Sequence, residues 1–465
     1  MSTPHTVFQN RRALKLFRSL ILLLIAVALV SGVYPKQLIV TATTTTESVV
    51  VLDPTTAPML AGTHQVLNNS PTSQMEGHID GKVVAYSDHD PYAPPLTPQT
   101  QIRYYDFTTN TDHLVPGDEL PMHPDISRGR IVFQDFNATG DPIIVLDTAS
   151  QTRTIVPGSG SRPAIGGNTV AIWGSTEPDG SFNPKIRAYD LSSGTSTQLT
   201  GENLTNVFSA VSSDGNVIVW QKCHDNALNC DIYSSVQTSP GVFMTTQLTG
   251  ADRDDRGPDI DGETVAYTCT KPGEPPDICF QSLAGGVETR LSMPGYQQNA
   301  RVSRNFITFS SLFPLPDAPF NWDIFLYEIS TGSLYRITNT GDNDGFPDIS
   351  ISGGFGRIVY STYVGGNWDL HAFTFPAPGS VREEIEDVTE LVESFDLPHG
   401  TENSLITKLQ DALVATNVSD TATACSCFSA FINECQAQSG KKLTTDQATQ
   451  LINSANQIKT ELGCQ

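Results

Sequence analysis

An internal repeat constrains the fold of this chain more than any other feature. A polar or glycine-containing turn is followed by a short β-branched strand that ends in a bulky residue, and this pattern occurs seven times. The bulky residues follow one another at intervals of 47, 39, 48, 47, 42 and 51, and they are Tyr86, Phe133, Ile172, Trp220, Tyr267, Phe309 and Tyr360. This spacing is typical of β-propeller blades.

Each unit contains a second strand downstream, such as 102–106 or 323–327, and most contain a third, such as 197–200. We therefore predict a mainly β fold with a seven-bladed propeller of four strands per blade. Six blades is the alternative if the unit with Arg304–Phe309 is misassigned. An open solenoid is a further alternative.

The two ends of the repeat region complement each other. The seventh unit ends at 375–378 without its last strand, whereas Thr63–Leu67 resembles a last strand that precedes the first unit. A motif then opens each unit, as Gly77–Asp80 and Pro258–Asp261 do. We expect the N-terminal strand to pair with 369–373 and close the ring, which leaves no exposed sheet edge.

Residues 61–378 resemble the TolB-like, WD40-like propeller repeats of exported bacterial proteins. The resemblance rests on the openings Pro258–Asp261 and Pro347–Ser350, on strands such as Asp231–Tyr233, and on the turn Leu248–Asp252. It implies a fold family and no particular activity, and TolB's partner contacts do not carry over to this chain.

The composition changes at Ser380, where helix formers replace glycine and proline. Ser380 begins a capping box for a helix that extends to about Phe395, and Asn403 caps a second helix. A third extends from about Asp420 to Gln438, and Thr444 caps a fourth. These segments predict a small α-helical bundle over 379–465.

This C-terminal part resembles the FIMAH domain of exported microbial proteins, through Ser404–Leu409, Ala430–Ile432 and Gln438–Thr444. The resemblance implies a disulfide between Cys425 and Cys464. Cys427 and Cys435 depart from the family pattern, and eight residues of helix separate them by about 12 Å, which is too far for a bond. They are either free and buried, or the third helix is broken.

The N-terminus has the form of an export signal. Four basic residues between Arg11 and Arg18 precede an uncharged, mostly apolar run over 19–33, which is short for a membrane span. We expect a signal peptide or signal anchor over 1–33 and a Thr/Pro-rich linker over 34–60. The predicted location is extracytoplasmic, secreted or anchored at the N-terminus.

Charge and cysteine content narrow the function classes. The chain has 27 Lys and Arg against 50 Asp and Glu, a formal net charge of −23, which argues against nucleic acid and anionic membranes as partners. Cys223 with Cys230, and Cys269 with Cys279, are spaced to join the two arms of a hairpin. Zinc is the alternative, although neither pair has the usual C-x2-C spacing.

No pattern of catalytic residues stands out, and we predict no catalytic, metal or cofactor site. The acidic loops Asp252–Asp255 and Asp342–Gly345 could bind calcium, but turn formation explains these residue types better. Aspartates at the start of second strands should bond to backbone amides: Asp231, Asp277, Asp323 and Asp369. His64, His78 and His113 would lie close together in space only if closure of the propeller ring placed them there. A few aromatic residues could line a sugar-binding face, from the set Trp220, Trp322, Tyr327, Tyr363 and Trp368.

These observations predict an exported, non-enzymatic binding or scaffold protein, with a protein or polysaccharide partner at the cell exterior. The rigid ring with variable loops suits such a role. One alternative is a carbohydrate-active enzyme of the polysaccharide-lyase type, which needs a metal, or a base with cationic partners, near the central channel. The sequence gives no sign of a histidine cluster there. The other alternative is a structural cell-surface component.

Overall fold

The computed structural model describes residues 40–41, 46–90, 100–116, 120–136, 141–174, 185–201, 208–224, 229–250, 253–313, 321–377, 381–395, 397–417 and 420–464. The chain divides into two units, 1–40 and 41–465. Apart from Val40, the features discussed below belong to the second unit. The predicted leader over 1–33 lies outside the described residues.

Seven sheets, each built on four antiparallel strands, form the blades, which confirms the predicted seven-bladed propeller. The strands of each blade are given from the inner to the outer position. Blade 1 consists of β4 (Ser73–Asp80), β5 (Val83–His89), β6 (Thr100–Asp106) and β7 (Thr111–Leu114), and blade 2 of β8 (Pro121–Ser127), β9 (Arg130–Asp135), β10 (Pro142–Asp147) and β11 (Arg153–Ser159). Blade 3 consists of β12 (Ser161–Gly166), β13 (Thr169–Trp173), β14 (Ile186–Asp190) and β15 (Thr195–Gln198).

Blades 4 to 7 follow the same order, except that an N-terminal strand supplies the outer edge of blade 7. Blade 4 consists of β16 (Ser209–Val211), β17 (Val217–His224), β18 (Asn229–Ser239) and β19 (Val242–Gln247), and blade 5 of β20 (Asp254–Asp261), β21 (Thr264–Thr270), β22 (Asp277–Ser282) and β23 (Val287–Ser292). Blade 6 consists of β24 (Tyr296–Ser303), β25 (Phe306–Leu312), β26 (Trp322–Glu328) and β27 (Ser333–Arg336). Blade 7 consists of β28 (Asn343–Ser352), β29 (Phe355–Val364), β30 (Asn367–Pro376) and β3 (Thr63–Asn68).

The hydrophobic core of the propeller lies between the blades. Each pair of neighbouring blades shares one cluster of buried side chains. The cluster between blades 7 and 1 includes Leu67, Tyr86 and Leu370, and each inner strand contacts the next around a closed circle. Burial of these faces on both sides of each sheet favours the β-branched strands that made the repeat visible.

The N-terminal strand closes the ring as predicted. β3 pairs antiparallel with β30, with Thr63 opposite Thr374, Gln65 opposite Ala372 and Asn68 opposite Leu370. The last blade therefore contains strands from both ends of the repeat region, and its outer position is not left empty.

The structure corrects one detail of the repeat assignment. The motif Pro258–Asp261 was expected to open a unit ahead of its first strand, but it forms the end of β20, which is itself the inner strand of blade 5. The inner strands escape a pattern search because a bulge interrupts their alternation. The Arg304–Phe309 unit forms a complete blade, so the six-bladed alternative is wrong.

Part of the segment predicted as a linker is ordered against the outer blades. β2 (Thr46–Val51) pairs parallel with β23 as a fifth strand of blade 5, and Met59 forms a bridge to Arg336 at the edge of blade 6. The segment before these, β1 (Val40–Thr41), is a two-residue strand. The β-branched residues of Thr46–Val51 favour the extended conformation.

Four helices follow the propeller, as predicted: α1 (Val381–Glu393), α2 (His399–Asn417), α3 (Thr421–Gln438) and α4 (Thr445–Glu461). Asp420 caps α3, and Thr444 and Gln447 form a capping box at α4. α2 begins at His399, before the predicted cap Asn403, because the N–H groups of Thr401 and Glu402 donate to the Pro398 carbonyl and form the first turn of the helix. Phe428, Phe431 and Leu451 are among the buried core residues.

Three cysteine pairs lie at disulfide distance: Cys223–Cys230 at 2.01 Å, Cys269–Cys279 at 1.96 Å and Cys425–Cys464 at 1.90 Å between sulfur atoms. Cys427 and Cys435 are free, and α3 is continuous through both, so the broken-helix alternative is wrong. Cys435 is buried and Cys427 is half-buried. No helix within the described ranges is long and apolar enough to cross a membrane.

Candidate functional site

A cavity of about 580 Å³ lies on the axis of the ring. All seven inner strands contribute to its lining, and Asp387 and Glu390 of α1 line it as well. Its volume is within the roughly 300 to 1,000 Å³ of small-molecule clefts. The side chains of the inner strands form three successive layers in this cavity.

The first layer results from a β-bulge that recurs in six of the inner strands. Each bulge shifts the register with the neighbouring strand and places one residue in the left-handed backbone region. We call these residues the bulge ring: Glu76 (φ 54°), His123 (φ 54°), Arg162 (φ 47°), Gly257 (φ 57°), Asn299 (φ 58°) and Phe346 (φ 55°).

The second layer lies two residues further along each inner strand. We call it the channel ring, and it consists of His78, Asp125, Ala164, Ala210, Asp259, Arg301 and Asp348. Its three aspartates join neighbouring blades, because Asp125 accepts the N–H of Ile165 at 2.8 Å and Asp348 accepts that of Ile79 at 2.8 Å. Asp259 accepts the N–H of Val302 at 2.7 Å.

In the third layer, a side chain again accepts a backbone N–H from the next blade. This side chain belongs to the last residue of the four-residue motif seen in the sequence, such as Pro258–Asp261. Ser350 accepts the N–H of Gly81 at 2.9 Å, and Asp261 accepts the N–H of Arg304 at 2.6 Å. Asp80 accepts the N–H of Arg128 in the same way. The repeated motif therefore holds adjacent inner strands together, which explains its recurrence in structural terms.

Charged groups converge in the channel ring. His78 Nδ1 lies 3.5 Å from Asp125 Oδ1 and 3.6 Å from Asp348 Oδ2, and Arg301 Nε lies 3.8 Å from Asp348 Oδ1. Burial, reinforced by the charge of Arg301, lowers the pKa of His78 to about 3, so its imidazole is neutral at pH 7.

Burial has the opposite effect on the carboxyl groups of this ring. It raises the pKa of Asp125 to about 7 and that of Asp348 to about 8, although Arg301 lowers both, and it also raises the pKa of Asp259. Asp125 and Asp348 therefore retain protons near neutral pH, where an exposed aspartate is ionised.

Glu76 and His123 form a pair in the bulge ring, with 3.1 Å between Oε1 and Nδ1. Burial tends to raise the pKa of Glu76, but the hydrogen bond and charge of His123 outweigh it and lower that pKa. Arg162 packs against Phe208, with its guanidinium 4.3 Å from the ring centre. Phe346 makes an edge contact with Trp368 at 5.5 Å between ring centres.

Helix α1 covers the side of the cavity beyond the third layer. Arg128 donates to Glu393 at 2.6 Å, and Arg304 forms an ion pair with Asp387. Burial raises the pKa of Glu390 to about 7, although Arg128 lies 3.9 Å away and lowers it. The helical bundle is thus attached to the propeller through acidic residues on one face of α1.

The structure separates most of the residues singled out from the sequence. His64 contacts Tyr360 at 2.9 Å and His113 stacks on Tyr104, so of the three histidines only His78 lines the cavity. His123 joins His78 there. Two histidines therefore line the cavity, and this pair was not anticipated because the inner-strand positions were not recognised.

The aspartates at the start of second strands have mainly structural roles. Asp277 accepts the N–H of Met293 at 3.2 Å, as predicted. The other three accept side-chain donors: Asp231 from Gln247, Asp323 from Thr338 and Asp369 from Asn367.

The acidic loops offer no assembled metal site in the described part of the chain. Asp344 is buried and accepts hydrogen bonds from Thr362 at 2.6 Å and Thr340 at 3.3 Å. Asp255 accepts from Arg253 at 2.7 Å. Asp252 lies outside the described residues. Within the described ranges, no group of three His, Cys, Asp or Glu side chains is arranged to hold a metal ion.

The predicted aromatic residues divide into core and surface. Trp220 and Tyr327 are buried, whereas Tyr363 is 42% exposed and packs on Trp368 at 5.3 Å between ring centres. Trp322 is half-buried at the start of β26. Sequence reasoning missed Phe346 and Phe208, which line the cavity and are 38% and 47% exposed.

The fold and the axial cavity define the class of this protein as a seven-bladed β-propeller with a ligand-sized central site. Comparison with solved structures agrees on the fold. The β-propeller domain of the Trilobed protease from Pyrococcus furiosus has a TM-score of 0.50 and 12% identity, over 66% of this chain and 95% of that domain. That domain is reported to have an open velcro topology, whereas β3 closes the ring here.

Two further similarities cover only part of each solved chain. An acylaminoacyl peptidase in complex with a chloromethyl ketone has a TM-score of 0.50 and 12% identity, over 66% of this chain and 52% of the peptidase. TolB from Acinetobacter baumannii has a TM-score of 0.36 and 14% identity, over 64% of each chain. At this identity the comparisons show the fold alone. No family model and no curated protein matches the sequence.

Proposed function

We propose that this chain is an exported, non-enzymatic binding protein whose propeller presents its binding surface at the axial cavity. The partner is a protein or polysaccharide at the cell exterior. The observation that carries the proposal is the convergence of polar and aromatic side chains from all seven blades on one cavity of about 580 Å³. A closed ring of blades holds these side chains in fixed positions before a ligand arrives, which reduces the entropy cost of binding.

The cysteines support the proposed location. Three pairs at disulfide distance fit an oxidising environment outside the cytoplasm. The export signal and any membrane anchor at the N-terminus remain predictions from the sequence. The FIMAH-like nature of the bundle, with an accessory or attachment role, also remains a prediction.

The proposal is tested by filling the cavity without removing a polar group. Ala210 belongs to the channel ring, and Ala210→Phe places an aromatic ring in the cavity. Ala149→Phe, in an exposed turn between β10 and β11, is the matched control. Purified wild type and both variants are assayed for binding to polysaccharides and secreted proteins from culture supernatant.

We expect Ala210→Phe to bind the main partner with at least tenfold lower affinity than wild type, and Ala149→Phe to bind it with wild-type affinity. Equal binding by all three proteins would place the binding surface outside the cavity and contradict the proposal. Absence of any partner for the wild type would favour a structural cell-surface role instead.

A second candidate, a polysaccharide-lyase-like enzyme, is favoured by one observation. Glu76, His78, His123 and Arg301 bring possible bases and a cation into the same cavity. However, the described lining contains eight carboxyl side chains against three arginines. Even with Asp125, Asp348 and Glu390 protonated, the remaining carboxylates outnumber the arginines, and such a lining disfavours the uronate chains that lyases cleave. Incubation with polygalacturonate or alginate should yield no ultraviolet-absorbing unsaturated product. A product that His123→Ala abolishes would establish the enzyme.

A further inference from the structure

The bulge ring carries large side chains where its backbone favours glycine. Glu76, His123, Arg162, Asn299 and Phe346 have φ between 47° and 58°, a region in which the Cβ atom crowds the following carbonyl oxygen. The sixth position is Gly257, with φ 57°. The fold therefore accepts glycine at this position, and the other five strands keep a side chain at a cost in backbone strain.

These five side chains share one location, because each lines the axial cavity. Two aromatic rings accompany them: Phe346 itself, and Phe208, on which Arg162 stacks. Strained residues that face a cavity indicate a role in contacting a ligand more than a role in holding the fold. Their chemistry then indicates which ligand the cavity accepts.

An extended peptide is disfavoured because the inner strand edges are already occupied. A peptide that binds as an added strand needs free backbone N–H and C=O groups. The inner-edge N–H groups of Ile79, Ile165 and Val302 instead donate to aspartates of the preceding blade. Those of Gly81 and Ile351 donate to serines.

A strongly anionic ligand is disfavoured by the charge of the cavity. In the channel ring beneath the bulge ring Arg301 is the one cation, because His78 is neutral at pH 7, and Asp348 lies 3.8 Å from it. The protons that Asp125 and Asp348 hold near pH 7 add no positive charge to attract an anion, and Glu76 is paired with His123. The bulge ring itself offers planar donors and acceptors beside aromatic rings. Planar polar groups can form paired hydrogen bonds with vicinal hydroxyls, and aromatic faces can pack on the C–H faces of a pyranose.

We propose that the bulge ring is a binding site for an uncharged oligosaccharide. Phe346 and Phe208 pack against sugar rings, and Glu76, His123, Arg162 and Asn299 hydrogen-bond to hydroxyl groups. This assignment rests on the proposed binding function and adds to it the class of ligand and the residues that determine specificity.

The test uses glycine substitutions, which relieve backbone strain while they remove the side chain. The variants His123→Gly and Phe346→Gly alter the ring. Gln151→Gly is the matched control, because Gln151 has φ 57° in the turn between β10 and β11 and is not part of the cavity lining. Thermal unfolding midpoints and binding by calorimetry are measured for the full chain, with cello-, manno-, xylo-, malto- and chito-oligosaccharides as probes.

We expect the wild type to bind at least one of these oligosaccharides. Both ring variants should bind it at least tenfold more weakly, with an unfolding midpoint equal to or above that of the wild type. Gln151→Gly should bind like the wild type. A fall in the midpoint of the ring variants without loss of binding would show a purely structural role and overturn the assignment.

The remaining outcomes separate this inference from the proposed function. If the wild type binds none of the oligosaccharides but binds a secreted protein or peptide, the saccharide assignment is wrong and the binding function stands. If the wild type and the ring variants bind the saccharide equally well, the bulge ring is not its binding site, although an oligosaccharide remains the ligand of this protein. Turnover of a bound oligosaccharide would refute the non-enzymatic function while leaving the ring as its binding site.

Discussion

Replacement of Asp348 by asparagine tests the protonation state of the channel ring. The Asp348 side chain is 13% exposed and accepts the Ile79 N–H through Oδ2. Burial raises its pKa to about 8, even though Arg301 lowers it, whereas an unfolded aspartate has a pKa of about 3.9. The folded protein thus binds this proton more tightly. The resulting stability is present below about pH 4 and is lost as the pH rises through about 8.

The magnitude follows from that shift. Each pKa unit corresponds to about 1.4 kcal/mol, so an isolated group with this pKa would lose about 4 kcal/mol of unfolding free energy between about pH 5 and 8. Asp125 and Asp259 lie in the same ring and compete for its protons. We therefore expect Asp348→Asn to remove roughly 2 to 4 kcal/mol of this pH-dependent loss of unfolding free energy. Asparagine retains a carbonyl oxygen for the Ile79 N–H and does not ionise.

The assay is guanidinium chloride unfolding at about pH 5 and about pH 8. The unfolding free energy of the variant minus that of wild type should be roughly 2 to 4 kcal/mol higher at the upper pH than at the lower one. Tryptophan fluorescence reports on the propeller, because all four tryptophans lie in its strands. Asp190→Asn is the control: hydrogen bonds from Ser192 and Ser193 outweigh burial and lower the Asp190 pKa, so its effect should be equal at both pH values. A stability difference for Asp348→Asn that does not change with pH would refute the reasoning.

Three further predictions concern the packing of the two parts. Cys425→Ser should lower the stability of the helical bundle by about 2 to 4 kcal/mol, as judged by circular dichroism, because it opens a loop closed by a disulfide; an effect no larger than that of Cys427→Ser would contradict this. Gly166→Ala should destabilise the propeller by about 2 kcal/mol or more in chemical unfolding, since its Cβ would overlap the backbone of the next blade; wild-type stability would disprove that contact. Arg128→Ala combined with Arg304→Ala should separate the calorimetric transitions of bundle and propeller and speed proteolysis between them; an unchanged trace would show that these ion pairs do not attach α1.

The parts of the fold that depend on local pattern could be predicted from the sequence. The seven strands of the repeat, the complementary ends, the start of the third helix near Asp420 and the cap at Thr444 each leave a signal within a few residues. The cysteine pairs at Cys223–Cys230 and Cys269–Cys279 were also visible, because their spacing matches a hairpin. These features depend on periodicity and short-range hydrogen bonds, which a single sequence records directly.

The candidate site could not be predicted in the same way. His78 and Arg301 occupy the ring position that Asp125, Asp259 and Asp348 hold in other blades, but they do not match the Pro-Asp-Ile pattern. A search for the residue before the Ile or Val of each inner strand would have found them. The docking of α1 on Arg128 and Arg304 depends on contacts across more than 80 residues, and no local pattern encodes it.

Hydrogen exchange of the segment Thr63–Asn68 tests the closed ring most directly. In the structure this strand pairs with β30 along its length, and a paired strand exchanges its amide hydrogens slowly. We predict that amides of β3 which donate to β30 are protected to the same degree as those of β30 itself. Exchange at the rate of an unpaired segment, with β30 still protected, would contradict the closure of blade 7, and with it the rigid cavity on which the proposed binding function depends.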